Sequence, residues 1–175
     1  MEKSYKEYLQ HITTFIFDVD GVFTDGSIII DARGEMLRTM NTKDGFAVKT
    51  AIDKGFNVCI ISGGTQEAVR QRFRALGVTD IHLGAHYKMD IFDEYTDVYS
   101  INPEHCLYMG DDIPDIPVMK AVGLATCPQD AVAEVKHASH YVSHKNGGKG
   151  CVRDVIEQVL KVQGKWDYML DAKYE

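Results

Sequence analysis

Phe15-Ile16-Phe17-Asp18-Val19-Asp20-Gly21-Val22-Phe23-Thr24-Asp25-Gly26 is an apolar run that ends in two aspartates one residue apart. Side chains alternate along a β-strand, so Asp18 and Asp20 point to the same side of the chain. Parallel α/β sheets open their ligand crevices at the carboxyl ends of their strands, where this pair would stand. There one carboxylate can attack an electrophile while its neighbour handles a proton and a hard cation shields the charge. Aspartate and glycine also serve ordinary strand-to-turn exits, so the segment takes its meaning from the strands downstream of it.

Three later strand ends supply the rest. Asn57-Val-Cys-Ile-Ile-Ser62-Gly63-Gly64 is a second buried strand, ending in a hydroxyl and two glycines before a helical stretch. Backbone N–H groups in such a turn form an anion site, and the Ser62 hydroxyl adds a donor. Lys88 follows the strand-like Asp80-Ile-His-Leu83 and supplies a cation. His105-Cys-Leu-Tyr-Met-Gly110-Asp111-Asp112-Ile-Pro-Asp115 ends in three carboxylates. So dense an acidic cluster beside an apolar strand is costly without a cation or donors to satisfy it.

The order Asp-x-Asp, Ser, Lys, Gly-Asp-Asp-x-x-Asp, each after its own strand, resembles the haloacid dehalogenase superfamily of aspartate-nucleophile phosphotransferases. Asp18 to Gly26, Asn41-Thr42-Lys43-Asp44-Gly45-Phe-Ala-Val-Lys49, Arg72 and Gly147-Gly-Lys-Gly150 narrow the resemblance. They are similar to its capless branch, the 3-deoxy-D-manno-octulosonate 8-phosphate (KDO 8-phosphate) phosphatases. The likeness runs from Thr13 to Leu160.

Periodicity and composition agree with that reading. Apolar runs alternate with helical stretches, which predicts an α/β fold: a three-layer, Rossmann-like, doubly wound parallel sheet. Strands are expected at Asn57–Ile61, Asp80–Leu83, His105–Met109, Gly123–Ala125 and His140–Val142. Helices are expected at Asp44–Lys54, Thr65–Ala75, Tyr87–Tyr99, Ile113–Ala121, Asp130–Lys136 and Gly150–Val162. Ser27 to Met40 reads as a β-hairpin about Asp31-Ala-Arg-Gly34, inserted after the first strand. The gaps between motifs leave no room for a cap domain. One domain, residues 1–163, with a tail at 164–175 fits a chain of 175 residues.

A net charge of -7 argues against nonspecific nucleic-acid binding. Cys59, Cys106, Cys127 and Cys151 show no C-x-x-C spacing and read as reduced core residues of a cytoplasmic protein. Met1-Glu-Lys-Ser-Tyr-Lys has no apolar signal region, and no apolar run approaches membrane-spanning length.

The resemblance implies roles. Asp18 would attack phosphorus and form an aspartyl-phosphate, and Asp20 would act as general acid and then base. Mg²⁺ would be held by Asp18, the Asp20 carbonyl and Asp111, with Asp112 supporting the metal and Asp115 orienting the loop. Ser62, Gly63 and Lys88 would hold the phosphoryl oxygens. Asn41, Thr42, Lys43, Asp44, Gly45, Lys49 and Arg72 match substrate contacts. Gly64 departs from the family, many members of which carry arginine there. That departure leaves a nine-carbon sugar acid phosphate (KDN or N-acylneuraminate 9-phosphate) open as the substrate. A homotetramer is implied, each site closed by a neighbouring subunit, with Gly147–Gly150 as a flexible segment reaching that neighbour. Two readings from other classes compete: a non-hydrolytic phospho-receiver and an oligomeric interaction module.

Overall fold

The computed structural model describes residues 4–167. Its centre is a six-stranded, wholly parallel sheet built from β1 (Thr14–Phe17), β4 (Asn57–Ser62), β5 (Asp80–Leu83), β6 (Cys106–Met109), β7 (Leu124–Cys127) and β8 (Tyr141–Val142). The order is β5-β4-β1-β6-β7-β8, so the chain leaves β1 in one direction and returns to its other side at β6. That reversal opens a crevice at the carboxyl end of β1.

Every residue of β1 is buried, as expected for a strand covered on both faces. Phe15 and Phe17 face one layer with helices α2 (Thr42–Asp53), α3 (Glu67–Ala75) and α7 (Cys151–Val162). Ile16 faces the other layer with α4 (Lys88–Val98), α5 (Ile116–Met119) and α6 (Ala133–Ala138). The three-layer doubly wound architecture expected from the sequence is therefore present.

Several boundaries differ for local reasons. α2 begins two residues earlier than expected because the Asn41 side chain accepts from the Lys43 amide at 2.9 Å and caps the helix. The stretch after Asp112 opens as a 3₁₀ turn, Ile113–Asp115, before α5. An unforeseen helix, α1 (Tyr5–Leu9), starts at Ser4, whose amide donates to the Glu7 carboxylate at 3.2 Å. The Ser-x-x-Glu spacing was its signal.

The hairpin is present but short. β2 (Ile29–Ile30) and β3 (Met36–Leu37) pair antiparallel over two residues each, and the Asp31 carboxylate holds the turn through the Arg33 and Glu35 amides. Rather than folding onto the main sheet, it stands out in solvent, with Ile30 70 % and Ile29 59 % exposed.

The beginning of the expected tail lies against the domain. The Arg153 guanidinium is 5.7 Å from the Phe46 ring centroid and 5.5 Å from that of Trp166, and Asp167 pairs with Lys54. The remainder of that tail, 168–175, lies outside the described residues. No helix among the described residues is long and apolar enough to cross a membrane.

Candidate active site

Adjacent strand ends bring the motifs together. Phe17 is in register with Ile60 of β4 and Met109 of β6, and the Asp18 amide extends that register by donating to the Met109 carbonyl at 3.0 Å. Asp18 thus lies between the ends of β4 and β6. One of its carboxylate oxygens accepts from the Val19 amide at 2.7 Å. The other is 3.0 Å from the Lys88 ammonium.

Lys88, the first residue of α4, is no surface charge: its side chain is 7 % exposed. It also donates to Asp115 at 2.6 Å. Asp115 further accepts from the Tyr108 hydroxyl at 2.6 Å and from the Asp111 and Asp112 amides. With these four donors, Asp115 fixes both the lysine and the loop that carries Asp111. Asp111 itself reaches the crevice because Gly21 (φ +81) makes way; a Cβ at that position would overlap the Asp111 carboxylate.

Oxygens of Asp18, Asp111 and Asp115 all lie within 4.8 Å of one another. Burial, then the charge of Asp115, push the Asp18 carboxyl up to about 7 against the pull of Lys88. Burial, then Asp18 and Asp115, push Asp111 to about 7 as well. For Lys88, burial works toward a lower pKa, but the attraction of both aspartates outweighs it and raises the ammonium's pKa. The cluster therefore holds more negative charge than its lysine balances. A hard divalent cation with oxygen ligands answers that excess, so Mg²⁺ fits these residues. Asp115 is already engaged by four donors, which leaves Asp18 and Asp111 as the available carboxylates.

Ser62 ends β4 at 3 % exposure, and its hydroxyl accepts from the Gly64 amide at 3.2 Å. Its carbonyl accepts from Ala85, and the Gly64 carbonyl from Gly84, which ties the Ser62–Gly64 turn to the loop leading to Lys88. The Gly63 backbone is exposed.

The structure does not draw all expected residues into the cluster. Asp112 is exposed and turns back to cap Ile113 at 2.8 Å. Asp44, expected among the substrate contacts, is fully buried and accepts from the Arg153 amide at 2.8 Å, capping α7 from another helix. Gly45 is also buried; a Cβ there would meet the Arg72 guanidinium at 2.7 Å, so the glycine makes room for Arg72. Thr42 and Lys43 are exposed, while Asn41 and Lys49 are half-buried. In the Gly147–Gly150 segment, Gly147 and Gly148 pack closely against the backbone of the turn after β1, while nothing lies within 4 Å of where a Cβ of Gly150 would stand. The Gly148 amide donates to the Val22 carbonyl at 2.9 Å, and the Gly147 amide to Asp130 at 2.9 Å.

Three residues at the site escaped sequence reasoning. Arg38, from the end of the hairpin, forks onto Asp20 at 2.7 and 3.0 Å. Tyr108 hides within an apolar strand, where nothing marks its hydroxyl as a partner of Asp115. Thr24 accepts from the Gly21 and Gly26 amides and shapes the turn after the two aspartates; its place inside the motif was the one signal.

Comparison with known proteins agrees. Residues 84–156 match the model for haloacid dehalogenase-like hydrolases. The chain is 37 % identical over 158 residues to 3-deoxy-D-manno-octulosonate 8-phosphate phosphatase KdsC of Salmonella typhi, covering 90 % of this chain and 84 % of the relative. It superposes on a putative phosphatase of the same name from Vibrio cholerae with a TM-score of 0.91, at 36 % identity over 95 % of this chain and 93 % of that one. The Moraxella catarrhalis phosphatase, solved in complex with magnesium, phosphate and KDO, gives a TM-score of 0.91 at 30 % identity, covering 95 % of each chain. Motif order, crevice and relatives converge: the chain belongs to the haloacid dehalogenase-like hydrolases, in the family of these 3-deoxy-D-manno-octulosonate 8-phosphate phosphatases.

Proposed function

We propose that this protein is a Mg²⁺-dependent phosphatase that hydrolyses KDO 8-phosphate to KDO and phosphate, a step of lipopolysaccharide precursor synthesis. The observation that carries the reading is the buried Asp18–Lys88–Asp115 chain, with Asp111 packed against it, in a chain 37 % identical to a named KDO 8-phosphate phosphatase.

Asp18 is the nucleophile: a carboxylate oxygen forms a bond to phosphorus as the bond to the sugar oxygen breaks, leaving an aspartyl-phosphate. Asp20 gives the departing oxygen its proton, then takes one from the water that cleaves the acyl phosphate. Ser62, the Gly63 amide and Lys88 hold the equatorial oxygens, where negative charge is shared in the transition state. Lys88 is suited to this because Asp115 holds it from behind. Asp18, the Asp20 carbonyl and Asp111 would hold the cation, with Asp112 at its margin, and the charge of Mg²⁺ would lower the repulsion between nucleophile and phosphate. Asn41, Lys43, Lys49 and Arg72 meet the sugar acid, and Asp44 and Gly45 serve that contact indirectly through α7 and Arg72.

The exposed apolar hairpin supports a homotetramer in which a neighbour closes each site. Four buried free cysteines suit the reducing cytoplasm. The catalytic unit is the single domain 1–163.

The test is phosphate release with Mg²⁺ from eight- and nine-carbon sugar acid phosphates assayed in parallel. A higher kcat/KM on the eight-carbon ester supports the reading. Preference for a nine-carbon ester would move the assignment to KDN or N-acylneuraminate 9-phosphate. Stable retention of phosphate on the protein without release would favour a receiver module.

A further inference from the structure

We propose that Arg38 is a specificity-determining residue, the guanidinium that grips the carboxylate of the sugar acid on the leaving-group side of the site. The inference rests on the phosphatase reading above and deepens it. Arg38 stands at the foot of the solvent-exposed hairpin, yet its side chain is 6 % exposed. Arginine is seldom buried so far without a paired anion. Its Nε and Nη2 donate to the two oxygens of Asp20 at 2.7 and 3.0 Å, and Nη1 donates to the Met36 carbonyl at 3.3 Å. This two-pronged grip is the geometry by which arginine selects carboxylates.

The surroundings say which carboxylate the fork meets during turnover. Asp20 lies two residues after the nucleophile; in the role proposed above it meets the departing sugar oxygen, and its side chain is 34 % exposed. Lys88 is already divided between Asp18 and Asp115. Beside the fork stands Gly64: a Cβ there would lie 3.5 Å from Arg38 Nη2, 3.5 Å from the Ser62 hydroxyl and 3.3 Å from Gln66 Oε1. The guanidinium and the serine hydroxyl thus flank one small space that residue 64 leaves free of side chain. A substrate whose phosphate meets Ser62 extends its sugar past this space. Its carboxylate is the same chemical group that the fork already holds, so the exchange from Asp20 to substrate keeps the guanidinium paired throughout.

The experiment compares Arg38→Ala and Arg38→Lys with the wild type on two primary phosphate esters, KDO 8-phosphate and ribose 5-phosphate, which has no carboxylate. Loss of a charge-assisted hydrogen-bonded pair is expected to cut kcat/KM on the sugar acid phosphate by about 10- to 100-fold more than on ribose 5-phosphate, mostly through KM. Arg38→Lys, which keeps the charge but not the fork, should recover part of that difference; it also carries the test alone if the alanine variant folds poorly. An equal loss on both esters would mean that Arg38 only orients Asp20, and would overturn the proposal while leaving the phosphatase standing. Wild-type efficiency on both esters in both variants would overturn it too. Wild-type failure to release phosphate from KDO 8-phosphate would overturn the parent reading with it.

Discussion

At the scale of single residues, the site is a problem in crowded charge. Asp18 and Asp111 are both raised from 3.8 to about 7 by burial and by neighbouring carboxylates. Raised carboxyls bind protons more tightly folded than unfolded, so their contribution to stability is complete below about pH 4 and is lost as pH rises through about 7. Chelated protein should therefore lose stability across that window, and Mg²⁺, which competes with those protons, should restore it. Thermal melts with chelator and with Mg²⁺ should show a gain that grows from about pH 5 to about pH 8; a constant or shrinking gain would contradict the charge arrangement. Asp18→Asn should cut phosphate release by at least ~1000-fold, because the amide is neither nucleophile nor strong metal ligand. Near-normal turnover by that variant would remove Asp18 from the chemistry. Asp18, Ser62 and Asp111 were legible in the sequence because each lies at or just past a strand end, and Lys88 because it opens the helix that follows the loop after β5, so chain order alone places all four near the crevice. Arg38 was not, since its reach to Asp20 crosses an irregular hairpin whose path no periodicity records.

At the scale of elements, the substrate-like stretch Asn41–Gly45 turns out to be partly architectural. Asn41 caps its own helix, and Asp44 caps α7 through the Arg153 amide across 109 residues of sequence. A contact of that separation cannot be read from local spacing, so the family motif alone placed Asp44 among the substrate contacts. Burial raises the Asp44 carboxyl against the pull of the α7 amides, so the cap works in a desolvated setting. Asp44→Ala should cost about 1–2 kcal/mol, typical of a lost cap, or roughly 2–8 °C in Tm for a domain of this size. Calorimetry of the Mg²⁺-free protein checks this; an unchanged Tm would mean that the amides of α7 find another partner. Strand positions were legible because buried parallel strands are continuous apolar runs. Helix starts were less so, since caps such as Asn41 and the 3₁₀ turn at Ile113–Asp115 depend on hydrogen bonds that several residue types can make.

At the scale of the whole molecule, an open crevice and an exposed apolar hairpin raise one question of assembly. Ile28, Ile29, Ile30, Met36 and Leu37 are each at least 41 % exposed, a cluster that a lone soluble subunit would rarely present. Ile28→Glu with Ile30→Glu should yield smaller particles in sedimentation and lose far more kcat/KM on KDO 8-phosphate than on a small generic phosphoester. A folded monomer with full efficiency on the sugar acid phosphate would end the shared-site proposal. The covalent step at Asp18 is the centre of the mechanism, and mass spectrometry reads it most directly. Asp20→Asn protein, mixed with Mg²⁺ and a phosphate ester whose leaving group needs no proton, then quenched in acid, should carry the mass of one phosphoryl group on the peptide containing Asp18. Rapid phosphate release by that variant with no phosphorylated Asp18 peptide at any quench time would contradict an aspartyl-phosphate mechanism.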